Sequence, residues 1–342
     1  MSASSLPDDR SSSDPHGTHA VGAVRACSVL DGMLVIYLVA LLLTAILSRG
    51  QHRERCIWEL TVIVLVQLSM LFVVRRRRSV ASPPAVVAYR LVTWGSFQAT
   101  YFVLRFLLPL ANPNSLDEPL YRLDIRLFGV EPTLWMDQFV NSATTEWFAF
   151  FYFAYFPLLA SFLFPILLFE RREPIVSEFT LGLFMLFCIG HFFYFVVPGF
   201  GPYRHLADLY HHQLPNGRWY QMVIAAVSNG GAQKDIFPSM HTGAPTFLAM
   251  FAFRNRKSMP YRVVWPVVAF FAINIIGATL FLRWHYLVDV IAGFSLAAFC
   301  VWVCPRIVAV EHAHRARLGV GPSWPRLSRR GAKPPSADAD CA

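Results

Sequence analysis

Charge is scarce in this sequence. Asp, Glu, Lys and Arg together make up 15% of its 342 residues. A soluble domain carries about 25%, so the shortfall excludes an ordinary water-soluble globule. Cysteine is sparse too: six residues, Cys27, Cys56, Cys188, Cys300, Cys304 and Cys341, with no C-x-x-C pair. Four of them lie in or beside apolar runs, where Cys behaves as a small hydrophobe. That excludes a disulfide framework and a cysteine zinc site. The N-terminus lacks a signal peptide's basic start followed directly by an apolar stretch. Residues 1–25, rich in Ser, Asp, Pro and Gly, read instead as a disordered tail. Net charge is +9, but the basic residues sit in short loops between apolar runs. Without a basic face or groove, no nucleic-acid partner is expected.

What the chain does have is apolar length. Hydrophobic residues are 55% of it, Phe alone contributes 30, and mean hydropathy is +0.44. A spanning helix needs about 20 mostly apolar residues. Eight stretches qualify: Val29–Leu47, Ile57–Val74, Val86–Leu110, Thr145–Phe169, Phe179–Val197, Met240–Phe253, Val263–Leu282 and His285–Val308. The sixth is short, and Pro245 predicts a kink or tilt in it. The expected fold is therefore an all-α integral membrane protein of about eight transmembrane helices. Its organisation is a tail over 1–25, a transmembrane catalytic domain over 26–310, and a disordered basic tail over 311–342. The mixed charged and apolar segment Leu116–Phe139 predicts one or two short interfacial helices. The run Arg75–Arg78 reads as a topology anchor touching anionic lipid.

With the N-terminus in the cytoplasm, twenty Lys and Arg fall inside and ten outside, as the positive-inside rule requires. The loop Arg49–Arg55 runs locally against this orientation. Both termini are then cytoplasmic, while the loop Pro198–Pro238 and the turn at Arg283–Trp284 are extracytoplasmic. His241, in "DIFPSMHTGAPTF", and His285, in "LRWHYLVDVIAG", reach the same depth on the outer face.

His285 and Asp289 are four residues apart, so a helix would place them on one face. A carboxylate there fixes the imidazole tautomer and leaves the other nitrogen as nucleophile or base. His241 supplies a second imidazole able to protonate a leaving group. Arg283 and Arg204 are the residue type that grips phosphate oxygens. Ser239 and Tyr203 beside them complete the candidate substrate contacts, with the backbone amides at a helix N-terminus as further donors. Taken singly, each histidine has a bland reading as an interfacial residue satisfied by water, and Arg283 as an interface anchor. Jointly, at one depth, they indicate a functional site, because ionisable residues within a membrane are costly. His191 keeps two readings, an interhelical hydrogen bond or the border of the site. No metal-ligand cluster and no cofactor are expected.

These motifs resemble the type-2 phosphatidic acid phosphatase superfamily, and within it the inositol phosphorylceramide synthase (inositolphosphotransferase) branch. Pro238-Ser239-Met240-His241 is similar to its P-S-x-H motif. His285-Tyr286, Asp289 and Gly293 are similar to its H-Y-x-x-D-x-x-x-G motif. "VPGFGPYRH" resembles its Pro-rich patch, and "LDIRLFGVEP" its D-x-x-L-F-G-x-x-P segment. The resemblance spans Leu116 to Gly293. It implies a six-helix core, here with two added N-terminal helices, and no metal. It implies that His285 attacks phosphorus, Asp289 orients it, and His241 protonates the departing alkoxide. The sequence departs from the phosphatase branch in three places. Met240 replaces Gly, the Lys-to-Arg-Pro motif is missing, and Ala278 and Thr279 stand where Ser-Arg belongs, which leaves phosphate binding to Arg283. The expected function is a membrane lipid phosphotransferase or phosphatase of phospholipid or sphingolipid metabolism, working at the extracytoplasmic face. Its expected partners are a phospholipid or lipid-phosphate substrate, a polyol acceptor of the inositol type, and membrane lipids. The alternatives are a lipid phosphate phosphatase that only hydrolyses, and a non-catalytic phospholipid-binding or transport protein.

Overall fold

A computed structural model describes residues 27–76, 83–321 and 323–324; the tail 1–25 and Arg77 and Arg78 of the basic run lie outside these. Every named element among the described residues is helical. The long helices are α1 (Val29–Leu47), α2 (Arg53–Arg76) and α3 (Pro83–Ala111), then α6 (Ser142–Phe169), α7 (Glu173–Val196), α10 (Met240–Arg254), α11 (Tyr261–Phe281) and α12 (Leu287–Arg317). Between them lie short helices: α4 (Asp117–Phe128), α5 (Pro132–Met136), α8 (Pro202–His205) and α9 (Arg218–Gly230).

Local chemistry sets several of these ends. The Ser28 hydroxyl accepts the Asp31 amide while Asp31 accepts the Ser28 amide, closing a reciprocal cap on α1. The Asn141 side chain accepts the amides of Ala143 and Thr144 and starts α6. Gly129 stops α4 at φ 76°, a left-handed conformation that suits glycine.

Among the described residues, six helices are long and apolar enough to cross a membrane: α1, α2, α6, α7, α11 and α12. The other two expected spans differ. Helix α3 is long, but Arg90, Gln98 and Arg105 dilute its apolar character. Helix α10 has 15 residues, about 22 Å at 1.5 Å per residue, short of a hydrocarbon core of roughly 30 Å. Large apolar side chains such as Ile36, Phe169, Phe192 and Ile273 are exposed on these helices, as a lipid-facing surface requires. Helix α12 runs on to Arg317, past Glu311 where the sequence reading begins a disordered tail.

Helix α10 is the hub. It packs on α11, α12, α6 and α7, while α7 also meets α12 and α1, and α2 joins α1 to α3. The segment Leu116–Phe139 forms the two short helices its composition predicts, followed by a 3₁₀ turn over Asp137–Phe139. One expectation is corrected: Arg75 is no surface anchor. It is buried, with a 2.6 Å ion pair to Asp31 and a hydrogen bond to the Ser323 carbonyl.

Candidate active site

His285 does not sit on a helix. It lies in the turn that joins α11 to α12, two residues ahead of Leu287. The Trp284 and His285 amides both donate to the Thr279 carbonyl, at 3.0 and 3.2 Å, and the Tyr203 amide donates to the Arg283 carbonyl at 2.7 Å. Arg283 adopts φ 68° there, a left-handed conformation that costs a non-glycine residue energy. The His-x-x-x-Asp spacing therefore works through a cap and not through a helix face. Asp289 is the third residue of α12, and its carboxylate turns back to accept the Tyr286 amide at 3.0 Å. The same oxygen is 3.5 Å from His285 Nδ1. That is longer than a good hydrogen bond, and such contacts tighten when substrate binds. Burial pushes the His285 imidazole down to about 4, against the raising effect of Asp235. It is thus neutral near pH 7, with a nitrogen lone pair available for attack.

His241 enters from the first turn of α10. Its ring stacks on Tyr152 at 4.3 Å and 15°, and Tyr155 covers it at 4.3 Å. The His241 and His285 rings are 6.4 Å apart. His241 Nε2, His285 Nδ1 and Asp289 Oδ1 are buried without a hydrogen-bond partner in the protein, a cost that folded proteins normally avoid. The two motifs are also bonded to each other, because the Ser239 amide donates to the Asp289 carbonyl at 3.0 Å. Gly293 makes this approach possible: a β-carbon there would overlap the Ser239 carbonyl.

Both histidines line one cavity of about 280 Å³. Its walls come from α3, α6, α7, α9 and the loop ahead of α10, and they are largely aromatic. Tyr203 lines it, packed 4.6 Å from Trp284. The other proposed substrate contacts do not. Ser239 is fully buried and caps α10, accepting the Thr242 amide. Arg283 donates to Asp137 Oδ1 at 2.7 Å and to the His212 carbonyl at 2.6 Å, and lies over the Tyr210 ring. Arg204 is exposed and rests 3.9 Å above Phe200, itself a cavity wall. Among the described residues, no Lys or Arg lines the cavity. His191 fits both of its readings: Nδ1 is 2.7 Å from the Tyr37 hydroxyl, and the ring borders the cavity.

Three carboxylates hold this arrangement in place, and sequence reasoning assigned them no part. Asp117 accepts the Phe200 and Gly201 amides. Asp124 accepts the Leu287 and Val288 amides at the start of α12. Asp137 holds Arg283. Burial raises Asp137, but the His212 side chain, the His211 amide and Arg283 outweigh it and keep the carboxyl below its ordinary range. Asp124 belongs to "LDIRLFGVEP", so that segment was visible but its role was not. Tyr152 and Tyr155 were also missed. They share a helix face at i, i+3 spacing, a signal lost among the many aromatics of α6. Among the described residues, no group of three His, Cys, Asp or Glu is placed to hold a metal ion.

Residues 118–303 match the sequence model of the PAP2 superfamily. The chain belongs to the PAP2 superfamily. That membership indicates a membrane protein of the phosphatase or phosphotransferase type. No curated protein and no solved structure matches the chain. The PAP2 segment starts within α4 and ends within α12, and contains both histidine motifs. Helices α1 to α3 precede it, yet α3 contributes Phe97, Gln98, Tyr101 and Phe102 to the cavity.

Proposed function

We propose that this PAP2-superfamily protein is a lipid phosphotransferase or phosphatase working through a phosphohistidine on His285. The observation that supports it best is the facing pair: His241 and His285 on one cavity with ring centres 6.4 Å apart, and Asp289 behind His285. In the first half-reaction a His285 nitrogen bonds to phosphorus, the phosphorus–oxygen bond to the leaving group breaks, and His241 gives that oxygen a proton. Asp289 holds the ring and offsets the charge that develops on it. In the second half-reaction a hydroxyl attacks phosphorus, and the electron pair of the phosphorus–nitrogen bond returns to His285.

The aromatic walls suit an apolar lipid tail beside the reacting phosphate. The active site faces the extracytoplasmic side in this reading, on the distribution of Lys and Arg along the chain. The acceptor is an alcohol of the inositol type, on the motifs that resemble the inositolphosphotransferase branch; with water as acceptor the same intermediate gives hydrolysis. Arg204, exposed and resting on the cavity-wall residue Phe200, is the guanidinium this reading leaves for a phosphate, since Arg283 is bonded to Asp137.

The test is chemical. Purified protein quenched during turnover of a phosphorus-labelled phospholipid should carry label that is acid-labile and alkali-stable, and His285→Ala should carry none. Label that survives acid, or that persists in His285→Ala, overturns the assignment. Product analysis by mass spectrometry with and without inositol separates transfer from hydrolysis.

A further inference from the structure

The cavity contains an acid that the histidine mechanism leaves unused. Asp235 lies in the loop ahead of α10, six residues before His241, and lines the cavity with both histidines. Its backbone pairs with Gly199 in an isolated bridge, and its Oδ2 accepts the Tyr101 hydroxyl at 2.8 Å. The carboxylate is thus fixed from two sides, and one of them is α3, outside the family-matched segment.

The other buried outer-face acids have evident structural work. Asp117 and Asp124 each bind two backbone amides, Asp137 binds Arg283, and Glu131 caps α5. Among the described residues Asp235 has no Lys or Arg within salt-bridge distance; its side-chain partner is the Tyr101 phenol, and its own amide and that of Gln233 also bond to the carboxylate. It is the one Asp or Glu among the cavity-lining residues. A half-buried carboxylate beside a phosphate site, with no cation, is unfavourable for binding an anion. It is useful for holding a proton donor, which is what an attacking hydroxyl is.

We propose that Asp235 receives the proton of the hydroxyl that attacks the phosphohistidine, whether that hydroxyl belongs to water or to an alcohol. This rests on the covalent reading above. The step balances: the new oxygen–phosphorus bond forms, the phosphorus–nitrogen bond breaks with its electrons returning to His285, and the proton passes to the Asp235 carboxylate. Burial raises the proton affinity of Asp235, in the direction a base at this site requires. His241 then serves the first half-reaction and Asp235 the second, and proton exchange with solvent takes the proton from Asp235 and restores the one on His241 before the next turnover. Tyr101 acts through Asp235 as a positioning residue.

The test uses full-length protein in detergent with p-nitrophenyl phosphate, whose leaving group departs without a proton. Asp235→Asn keeps an oxygen for Tyr101 but loses basicity. It should release about one nitrophenolate per protein in a rapid burst, and then turn over some 10²-fold more slowly than wild type. Acid-labile phosphoprotein should accumulate, and a wild-type preparation should show little of either. A steady state like that of wild type, or burst and steady state lost together in a folded protein, overturns the role. If Asp235→Asn does not fold, Tyr101→Phe should show the same accumulation in milder form, and its absence there is equally decisive. If neither wild type nor the Asp235→Asn and Tyr101→Phe variants ever carry His285-dependent phosphoprotein, the covalent reading itself is refuted, which is a different outcome.

Discussion

His241 and His285 differ in what surrounds them, and the proposed mechanism gives them separable roles. His285 is fixed by its turn and backed by Asp289, which is how a nucleophile is held. His241 lies between two tyrosine rings with Nε2 unpaired, which leaves that nitrogen free to meet the leaving group. On a phospholipid, both His285→Ala and His241→Ala should lose several orders of magnitude in turnover. On an aryl phosphate, His241→Ala should recover a large part of its rate, because a good leaving group needs no proton, while His285→Ala should not. Equal defects on both substrates would refute the division. Asp289→Asn should keep measurable activity, since the amide oxygen still caps α12 and only the charge behind His285 is lost. A folded Asp289→Asn protein as inactive as His285→Ala would give Asp289 more than a positioning role.

Helix starts build the site at the element scale. Ser239 caps α10, Asp289 caps α12, and the Ser239 amide bonds to the Asp289 carbonyl. The close contact depends on Gly293. Gly293→Ala should force the two helix starts apart and destabilise the protein by about 1–3 kcal/mol, the usual range for overpacking. A lowered melting temperature in detergent, together with reduced turnover, is the readout. Gly95→Ala in α3, where a β-carbon meets nothing within 4 Å, should be neutral or slightly stabilising, since Ala is the better helix former. If Gly293→Ala behaves like Gly95→Ala, the packing account of this glycine is wrong.

Across the whole molecule, α1 to α3 are more than an N-terminal addition. Asp31 and Arg75 join α1 to α2 inside the protein, and the Tyr89 hydroxyl from α3 donates to the same carboxylate at 2.5 Å. Removing one partner of a buried pair typically costs about 3–5 kcal/mol, because the other charge is left unpaired. Arg75→Ala should therefore lower thermal stability sharply, whereas Arg256→Ala, on an exposed arginine, should change it little. Sidedness is a property of the same scale. A cysteine at exposed Gln213 should react with an impermeant maleimide in intact cells, and one at exposed Lys257 should not. Gly217 is a poor labelling site, because its backbone lies against Glu146, which caps α9. Labelling at Lys257 without labelling at Gln213 would invert the topology.

Much of this was legible in the sequence because it depends on local composition and spacing. Low charge and long apolar runs specified a helical membrane protein, and the two histidine motifs identified the superfamily. The sequence read Arg283 as a phosphate ligand, because an arginine two residues before a catalytic histidine is the natural candidate. Only the tertiary structure showed it turned to Asp137, a residue 146 positions away. The same holds for the His-x-x-x-Asp pair, whose spacing fits a helix face but whose geometry is a helix cap. Tyr101 meets Asp235, and Tyr152 and Tyr155 meet His241, through packing between segments distant in sequence. Spacing along one chain carries no record of which helix faces which, so the motifs singled out the two histidines and the aspartate, while folding alone decided that they share one place and that Arg283 is bonded away from it.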